Sequence, residues 1–335
     1  MFQIICIGSS SKDIFFPTKE GVVFDTPEDI TSQKKISFEL GAKYQVAKIF
    51  EAPGGCAANV AQGLSRLGIK TACYTKIGKD EVGKWIKKEL KREKVSAKLL
   101  QIDKSCKSDL STIIVDEKSG EHVILFNRES NTKLEINPKK IKNTQRIFVS
   151  ALNGEWEKHI DTILEVAKKN NIKILFNPGQ RNIKDNPKKV LKIIKHSEVV
   201  VLNKDEAIEI MIGNIDEIDK DKLNDEIFLI RSIASFNRGV VVLTDGENGS
   251  WVFDNNNIFF SKVSVDSPVD TLGAGDAFSS GFLAGYIDGK SVEEALKMGM
   301  ANSTNVILYY GAKEGLIKKE AMNAAIKKIE IKKIR

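Results

Sequence analysis

Short apolar runs rich in β-branched residues alternate along the chain with longer stretches in which apolar residues recur every three or four positions. The runs are QIICIG (3–8), RIFVSAL (146–152), IKILFN (172–177), EVVVLN (198–203) and GVVVLT (239–244). Each is apolar at successive positions, which predicts strands buried on both faces, as in a parallel sheet covered by helices. The 3.6-residue period between them predicts helices near 57–67, 80–93, 157–170, 187–196, 204–212 and 226–236. The last third reads as three more, near 275–288, 291–308 and 318–328. Strand and helix in regular succession predict an α/β fold.

Two regions break the rhythm. Residues 14–50 hold alternating segments (IFF, GVVF, KISFEL, YQVAKIF), and residues 97–127 hold STIIVDEKSGEHVILFN with a turn at EKSG. Both read as antiparallel and could pair into one small sheet projecting from the body, a lid of the kind that excludes water from a reacting phosphate. No low-complexity linker and no internal repeat interrupts residues 1–335, so one α/β domain with this lid inserted is expected.

Composition narrows the classes. Of 335 residues 41% are hydrophobic, ample for a large core. No apolar run reaches the ~18–20 residues that cross a bilayer, and the opening MFQIICIGSS lacks a basic leader and reads as a buried strand. Cys6, Cys56, Cys73 and Cys106 are scattered without a CxxC pair, and the three histidines stand apart. That argues against zinc and for reduced thiols in a cytoplasmic protein. The net charge of +7 comes from lysines mixed with acids, as in DEVGKWIKKELKREK (80–94), the signature of a solvated helix face. Neither nucleic acid nor membrane is an expected partner. The basic tail IKKIEIKKIR is an edge strand or a frayed end, and the sequon at Asn302 is incidental.

Four segments carry candidate chemistry. In VDTLGAGDAFSSGFLAG (269–285), Gly273, Ala274 and Gly275 precede Asp276 and a helix of small residues. Glycines there let free amides approach an anion, with the helix dipole adding attraction. Asp276 on the first turn is either a cap or a catalytic carboxylate beside that anion. APGGCAANVAQGLSRLG (52–68) opens a second helix with Gly54–Gly55, and its small residues suit close packing. Asn59 among them would need partners, which a hydroxyl-rich ligand can supply. EVVVLN leads into Lys204-Asp205-Glu206 at the carboxyl end of a strand, where ligands bind in open α/β sheets. Asn203 and Glu206 there form a capping box or hold a hydrated Mg²⁺. In LTDGENGS (243–250), Thr244 and Gly246 suit a phosphate contact or a hairpin turn. No Walker A motif, no protein-kinase motif set and no GxGxxG near the first strand occurs.

These four signals, in this order on an α/β chain with a β insertion, resemble the ribokinase (PfkB) family from Ile7 to about Gly315. The two signatures are matched by Gly54–Gly55 through Gly68 and by Asp270 through Asp276. The resemblance implies a three-layer fold with a mostly parallel central sheet, a small β-sheet lid, and ATP-dependent phosphorylation of a sugar hydroxymethyl group. It implies Asp276 as general base, with Gly273, Ala274 and Gly275 as its anion hole. Asp13, Gly54, Gly55, Asn59 and Asn131 then contact the acceptor, and Asn203, Thr244, Gly246 and Asn302 the nucleotide. Asn203 and Glu206 position Mg²⁺ through water, and Asp270, with Gly311, is the ligand of a monovalent cation such as K⁺. A homodimer through the lid is compatible with the family.

There are departures. Cys56 stands where ribokinases proper often carry lysine, Glu129-Ser130-Asn131 replaces Gly-Ala-Asn, and Leu308–Gly311 is short for the potassium loop. A nucleoside acceptor is the alternative to a sugar, with Phe15, Phe16 and Phe38 as stacking candidates. A phosphorylated sugar would call on Lys12 or Arg128. A catalytically silent binding protein would be expected to lose the base or the anion hole, and both are intact.

Overall fold

The computed structural model describes residues 1–28, 34–215, 217–263 and 268–334. Among them, a nine-stranded sheet has Thr71–Tyr74 at one edge. It continues through Phe2–Ile7, Thr144–Val149, Lys173–Phe176, Val199–Asn203 and Val240–Thr244, all parallel. Ser250–Asp254, Asn257–Ser261 and Lys332–Ile334 then extend it antiparallel. The five expected strands are present, and the basic tail is an edge strand.

The alternation of side chains along a strand divides the core into two layers. Ile5, Ile7, Ile147, Val149, Ile174, Phe176, Val200, Leu202, Val241 and Leu243 face one layer. The helices Trp156–Asn170, Pro187–Ile194, Lys204–Asn214 and Glu226–Phe236 cover it, through Trp156, Ile160, Ile163, Ile193, Ile208 and Ile230. Ile4, Cys6, Phe148, Leu175, Val199, Val201, Val240 and Val242 face the other, under Cys56–Arg66, Glu81–Arg92, Ala274–Ile287 and Val292–Val306. Burial of the five runs on both faces is why they lack polar alternation.

A second, four-stranded sheet has the order His122–Asn127, Leu110–Asp116, Ser11–Thr18, Phe50–Gly54. Its outer pairs are antiparallel as expected, but its central pair, Ser11–Thr18 with Leu110–Asp116, is parallel. This corrects the all-antiparallel reading: the two segments lie far apart in sequence, and no hairpin constrains their relative direction. The hairpin of Val22–Asp25 with Lys34–Ser37 forms a separate two-stranded sheet, and the expected segment 14–50 includes residues 29–33, outside the described residues. Phe15, Ala52, Ile113 and Val115 bury one face of the four-stranded sheet, packed with Phe50, Leu272 and Tyr310. The edge strand leaves Val123, Ile124, Leu125 and Phe126 exposed.

Candidate active site

Lys204–Asn214 begins directly at the carboxyl end of the parallel strand Val199–Asn203, whereas Cys56–Arg66 follows the small-sheet strand Phe50–Gly54 and starts against Ser9 and Ser10, just after the strand Phe2–Ile7. Gly55 caps Cys56–Arg66 with φ 87°, and a side chain there would lie 2.6 Å from the Ser10 backbone, so only glycine lets this turn sit against the end of the first strand. Gly273 caps Ala274–Ile287 with φ 76° and packs under Ala312. The two helices cross at small residues, where a side chain on Gly63 would run into Ser280.

That crossing brings Asn59 to Asp276. Asn59 Nδ2 donates to Asp276 Oδ2 at 2.8 Å. Burial pushes Asp276 up to about 6, opposed by Asn59 and Cys56 and assisted by the charge of Asp13. Of the three expected anion-hole amides, Ala274 N–H already donates to the Thr271 carbonyl at 3.3 Å. Gly275 is exposed, with no atom within 4 Å of where its Cβ would be.

Asp13 is buried on the four-stranded sheet, accepts from Ser11 Oγ at 2.8 Å, and lies directly over Gly54, where any Cβ would strike its carboxylate. Burial raises its pKa, while Ser11, Ser111 and Arg128 act to lower it. Asn131 is fully buried with neither amide atom partnered, and Asn59 Oδ1 is also without a partner. These atoms can serve a hydroxyl-bearing ligand.

Asn203 and Glu206 form the capping box: Asn203 Oδ1 accepts from Glu206 N–H at 2.7 Å, and Glu206 Oε2 from Asn203 N–H at 3.0 Å. Burial drives Glu206 up to about 8; the Asn203 amide opposes this, and Glu209, Asp205 and Asp276 add to it. Among the described residues no group of three or more His, Cys, Asp or Glu could hold a metal ion. Thr244 lies beside Asn203 in the sheet, and the residues after it return into the antiparallel strand Ser250–Asp254, so the hairpin reading of LTDGENGS is realised. Gly246 (φ 47°) opens onto empty space.

Two expected residues are committed to structure. Asn302 is fully buried; its Nδ2 donates to the Ala277 carbonyl (2.9 Å) and Ser280 Oγ (3.0 Å), and its Oδ1 accepts from Ile317 N–H (2.9 Å). It ties two helices to the 317 segment and leaves no free amide atom for a nucleotide. Asp270 is fully buried, and its oxygens accept from Leu272 N–H (3.0 Å) and Gly311 N–H (2.9 Å). It pins the loop whose Ala312 supports Gly273.

Sequence reasoning passed over Asp109 and Ser111. Asp109 is buried, and its Oδ1 gathers Ser130 N–H (2.8 Å), Ser130 Oγ (2.7 Å) and Asn131 N–H (3.3 Å) while Oδ2 has no partner. No motif marks it. Ser111 was legible in principle, because strand alternation puts it on the face of Ile113 and Val115. Of the two candidate cations, Lys12 is turned away, paired with Glu51 (2.7 Å) over the Trp85 ring. Arg128 faces the site, donating to Ser111 Oγ at 3.1 Å above Phe126.

The model of the pfkB family carbohydrate kinases matches residues 29–319. A protein of Archaeoglobus fulgidus described as an uncharacterized sugar kinase is 29% identical over 76% of this chain and 98% of its own. The nucleoside kinase of Methanocaldococcus jannaschii is 25% identical over 94% of each chain. In fold, the ribokinase of Cryptococcus neoformans in complex with ADP superposes with a TM-score of 0.78 at 20% identity, covering 97% of this chain and 99% of that one. A nine-stranded three-layer body, a separate small sheet and a match over most of the chain place this protein in the pfkB family, as a sugar or nucleoside kinase that phosphorylates an alcohol group.

Proposed function

We propose that the protein transfers the γ-phosphate of ATP to a hydroxymethyl group of a sugar, with Asp276 as general base. The observation that carries this reading is the placement of Asp276: a carboxylate on the first turn of a helix, next to the exposed Gly275, gripped by Asn59. A base with pKa about 6 is ionised at neutral pH yet basic enough to accept a proton as the alcohol attacks. Asp13, Asn59 Oδ1 and the two free atoms of Asn131 orient the acceptor hydroxyls. The helix N-terminus at Gly275 faces the charge that builds on the transferring phosphoryl group. The small sheet acts as the lid that excludes water.

The charges of Asp205 and Asp276 both act unfavourably on an ionised Glu206, which suits a divalent cation bound through water at Asn203 and Glu206. Mg²⁺ bound there with ATP would neutralise phosphate charge. Glu206 and Asn203 hold each other in one orientation, so the site is rigid before nucleotide arrives.

A nucleoside is the second reading, favoured by Phe126. Strand register sets Ala52, Asp13, Ser111 and Phe126 in one cross-strand row, so their side chains share a face. Phe126 is 61% exposed beside the acceptor contacts, with Arg128 over its ring, a surface on which a base can stack. The test is ADP formation from Mg-ATP with pentoses, hexoses, ketodeoxygluconate, sugar phosphates and nucleosides, using Asp276→Asn as control. Turnover with sugars and its loss in the variant support the first reading. Turnover confined to nucleosides selects the second, and near-normal turnover of D276N rejects Asp276 as base.

A further inference from the structure

We propose that Thr271 is a positioning residue that couples the lid to the anion hole, bonding the turn of a lid hairpin on one side and the amide of Ala274 on the other. The inference rests on reading the small sheet as a lid and Gly273 to Gly275 as the anion hole. Thr271 N–H donates to the Gly120 carbonyl at 3.2 Å, and Thr271 Oγ1 donates to the same oxygen at 3.4 Å, across 151 residues of sequence. The carbonyl of Thr271 accepts from Ala274 N–H at 3.3 Å. A single residue therefore touches both the lid and the first turn of the helix that carries Asp276.

The lid side of this connection is stiff. Gly120 lies in the turn between Leu110–Asp116 and His122–Asn127, and its N–H donates to the Asp116 carbonyl at 2.8 Å. Asp116 N–H donates to the Glu121 carbonyl at 2.8 Å, and Asp116 Oδ2 accepts from Ser119 Oγ at 2.7 Å. Gly120 has φ 73°, and a Cβ there would lie 3.0 Å from the Pro268 carbonyl oxygen, so the turn calls for glycine. His122 Nδ1 lies 3.4 Å from Thr271 Oγ1. Because the Gly120 carbonyl can only accept, the hydroxyl proton goes to it, and His122 completes the arrangement by donating from Nδ1.

The site side rests on the loop pair that also meets the lid. Asp270 accepts from Leu272 N–H and Gly311 N–H, and Ala312 supports Gly273. Tyr310 stacks on Phe50 of the small sheet with ring centroids 4.4 Å apart, and a Cβ on Gly311 would lie 2.7 Å from that of Ala52. Lid strands thus bear on both segments that hold the start of Ala274–Ile287. Asp13, an acceptor contact, stands on the strand paired with Leu110–Asp116, the strand that leads into the Gly120 turn. An acceptor that fixes Asp13 therefore also fixes Thr271, and through it the amide of Ala274.

The test is a double-mutant cycle on kcat with the acceptor that turns over best in the panel above. Thr271→Val removes the hydroxyl and keeps the shape. On the lid, replacing Glu117–Gly120 by an Asn-Gly turn keeps the hairpin and removes the Gly120 carbonyl. Each change should lower kcat about fivefold, the scale of one uncharged hydrogen bond, with the KM for ATP unchanged. Thr271→Ser keeps the hydroxyl and should match the wild type; a loss equal to that of T271V overturns the part given to the hydroxyl. The combined variant should lose no more than the larger single loss, because both changes break one connection, and losses that multiply overturn the coupling. Amide exchange at Thr271 needs no acceptor, and the shortened turn should speed it about tenfold or more. Unchanged exchange overturns the contact, and faster exchange with wild-type kcat overturns its role in positioning. Full turnover in D276N overturns the reading of the base and its anion hole while leaving the exchange result standing, so the two failures are distinguishable.

Discussion

Replacing Gly63 by alanine should damage stability and turnover together, although Gly63 touches neither substrate nor base. The residue lies where Cys56–Arg66 crosses Ala274–Ile287, the helices that carry Asn59 and Asp276. A Cβ at position 63 would overlap Ser280 Oγ and lie 2.5 Å from Ser280 Cβ. Ser280 cannot swing aside freely. It is fully buried, donates to the Ala277 carbonyl at 2.9 Å and accepts from Asn302 at 3.0 Å. The new methyl therefore has to push the helices apart by about 1 Å to restore ordinary contact. Overpacking of this kind costs about 1–3 kcal/mol, and alanine's better helix propensity returns about 0.5–1 kcal/mol. The net loss should be about 1–2 kcal/mol, read as a lower urea midpoint with unchanged slope. Asn59 is one turn from Gly63, so the same displacement stretches its 2.8 Å bond to Asp276 beyond hydrogen-bonding range and lowers kcat. Gly63→Ala combined with Ser280→Gly reopens the space, and the pair should lose less kcat than G63A alone. A G63A protein with wild-type midpoint and kcat would refute the idea that this crossing sets the site.

Other outcomes follow from the charges. Glu206 has a folded pKa of about 8 against an ordinary value of 4.5, so the folded state holds the extra proton between those limits. Stability without nucleotide should therefore fall as pH rises from about 4.5 to 8 and level off above. Glu206→Gln should flatten that slope, measured by melting temperature across the range, and should also raise the Mg-ATP concentration needed for turnover. The kcat profile should lose activity below about pH 6 as Asp276 takes up its proton; an acid limb well below pH 5 would contradict the assigned base. Lys313 is buried between Glu89 (2.9 Å) and Glu93 (3.3 Å), and Glu93 also holds Arg66 at 2.7 Å. Lys313→Met leaves the buried Glu89 with only the exposed Arg92 at 3.5 Å and should cost on the order of 3 kcal/mol in urea denaturation, with a loss under about 1 kcal/mol refuting the pairing.

The apolar runs and the helical periods were legible because each is a local consequence of burial on two faces or on one. The strands Ser250–Asp254 and Asn257–Ser261 were not. They are short, sit toward the sheet edge, and their turn relies on left-handed Asn255 and Asn256 (φ 45° and 65°), an NN pair that composition alone does not single out. The parallel pairing inside the small sheet was equally hidden, since alternation in IFF or STIIV reports a half-buried face and not the direction of its partner.

The same division runs through the site. Gly273 through Asp276, Gly54–Gly55 and the NxxE pair declare themselves locally, because a glycine-opened helix and a capping box need fixed spacings. Those spacings identified the family and its candidate base. They could not reveal that Asn59 grips Asp276 across 217 residues of sequence, that Asn302 is spent on helix packing, or that Arg128 bonds Ser111 while Lys12 turns to Trp85. These are outcomes of how two helices cross and how strands register. They depend on which distant surfaces pack together, and that information exists only once the chain has folded.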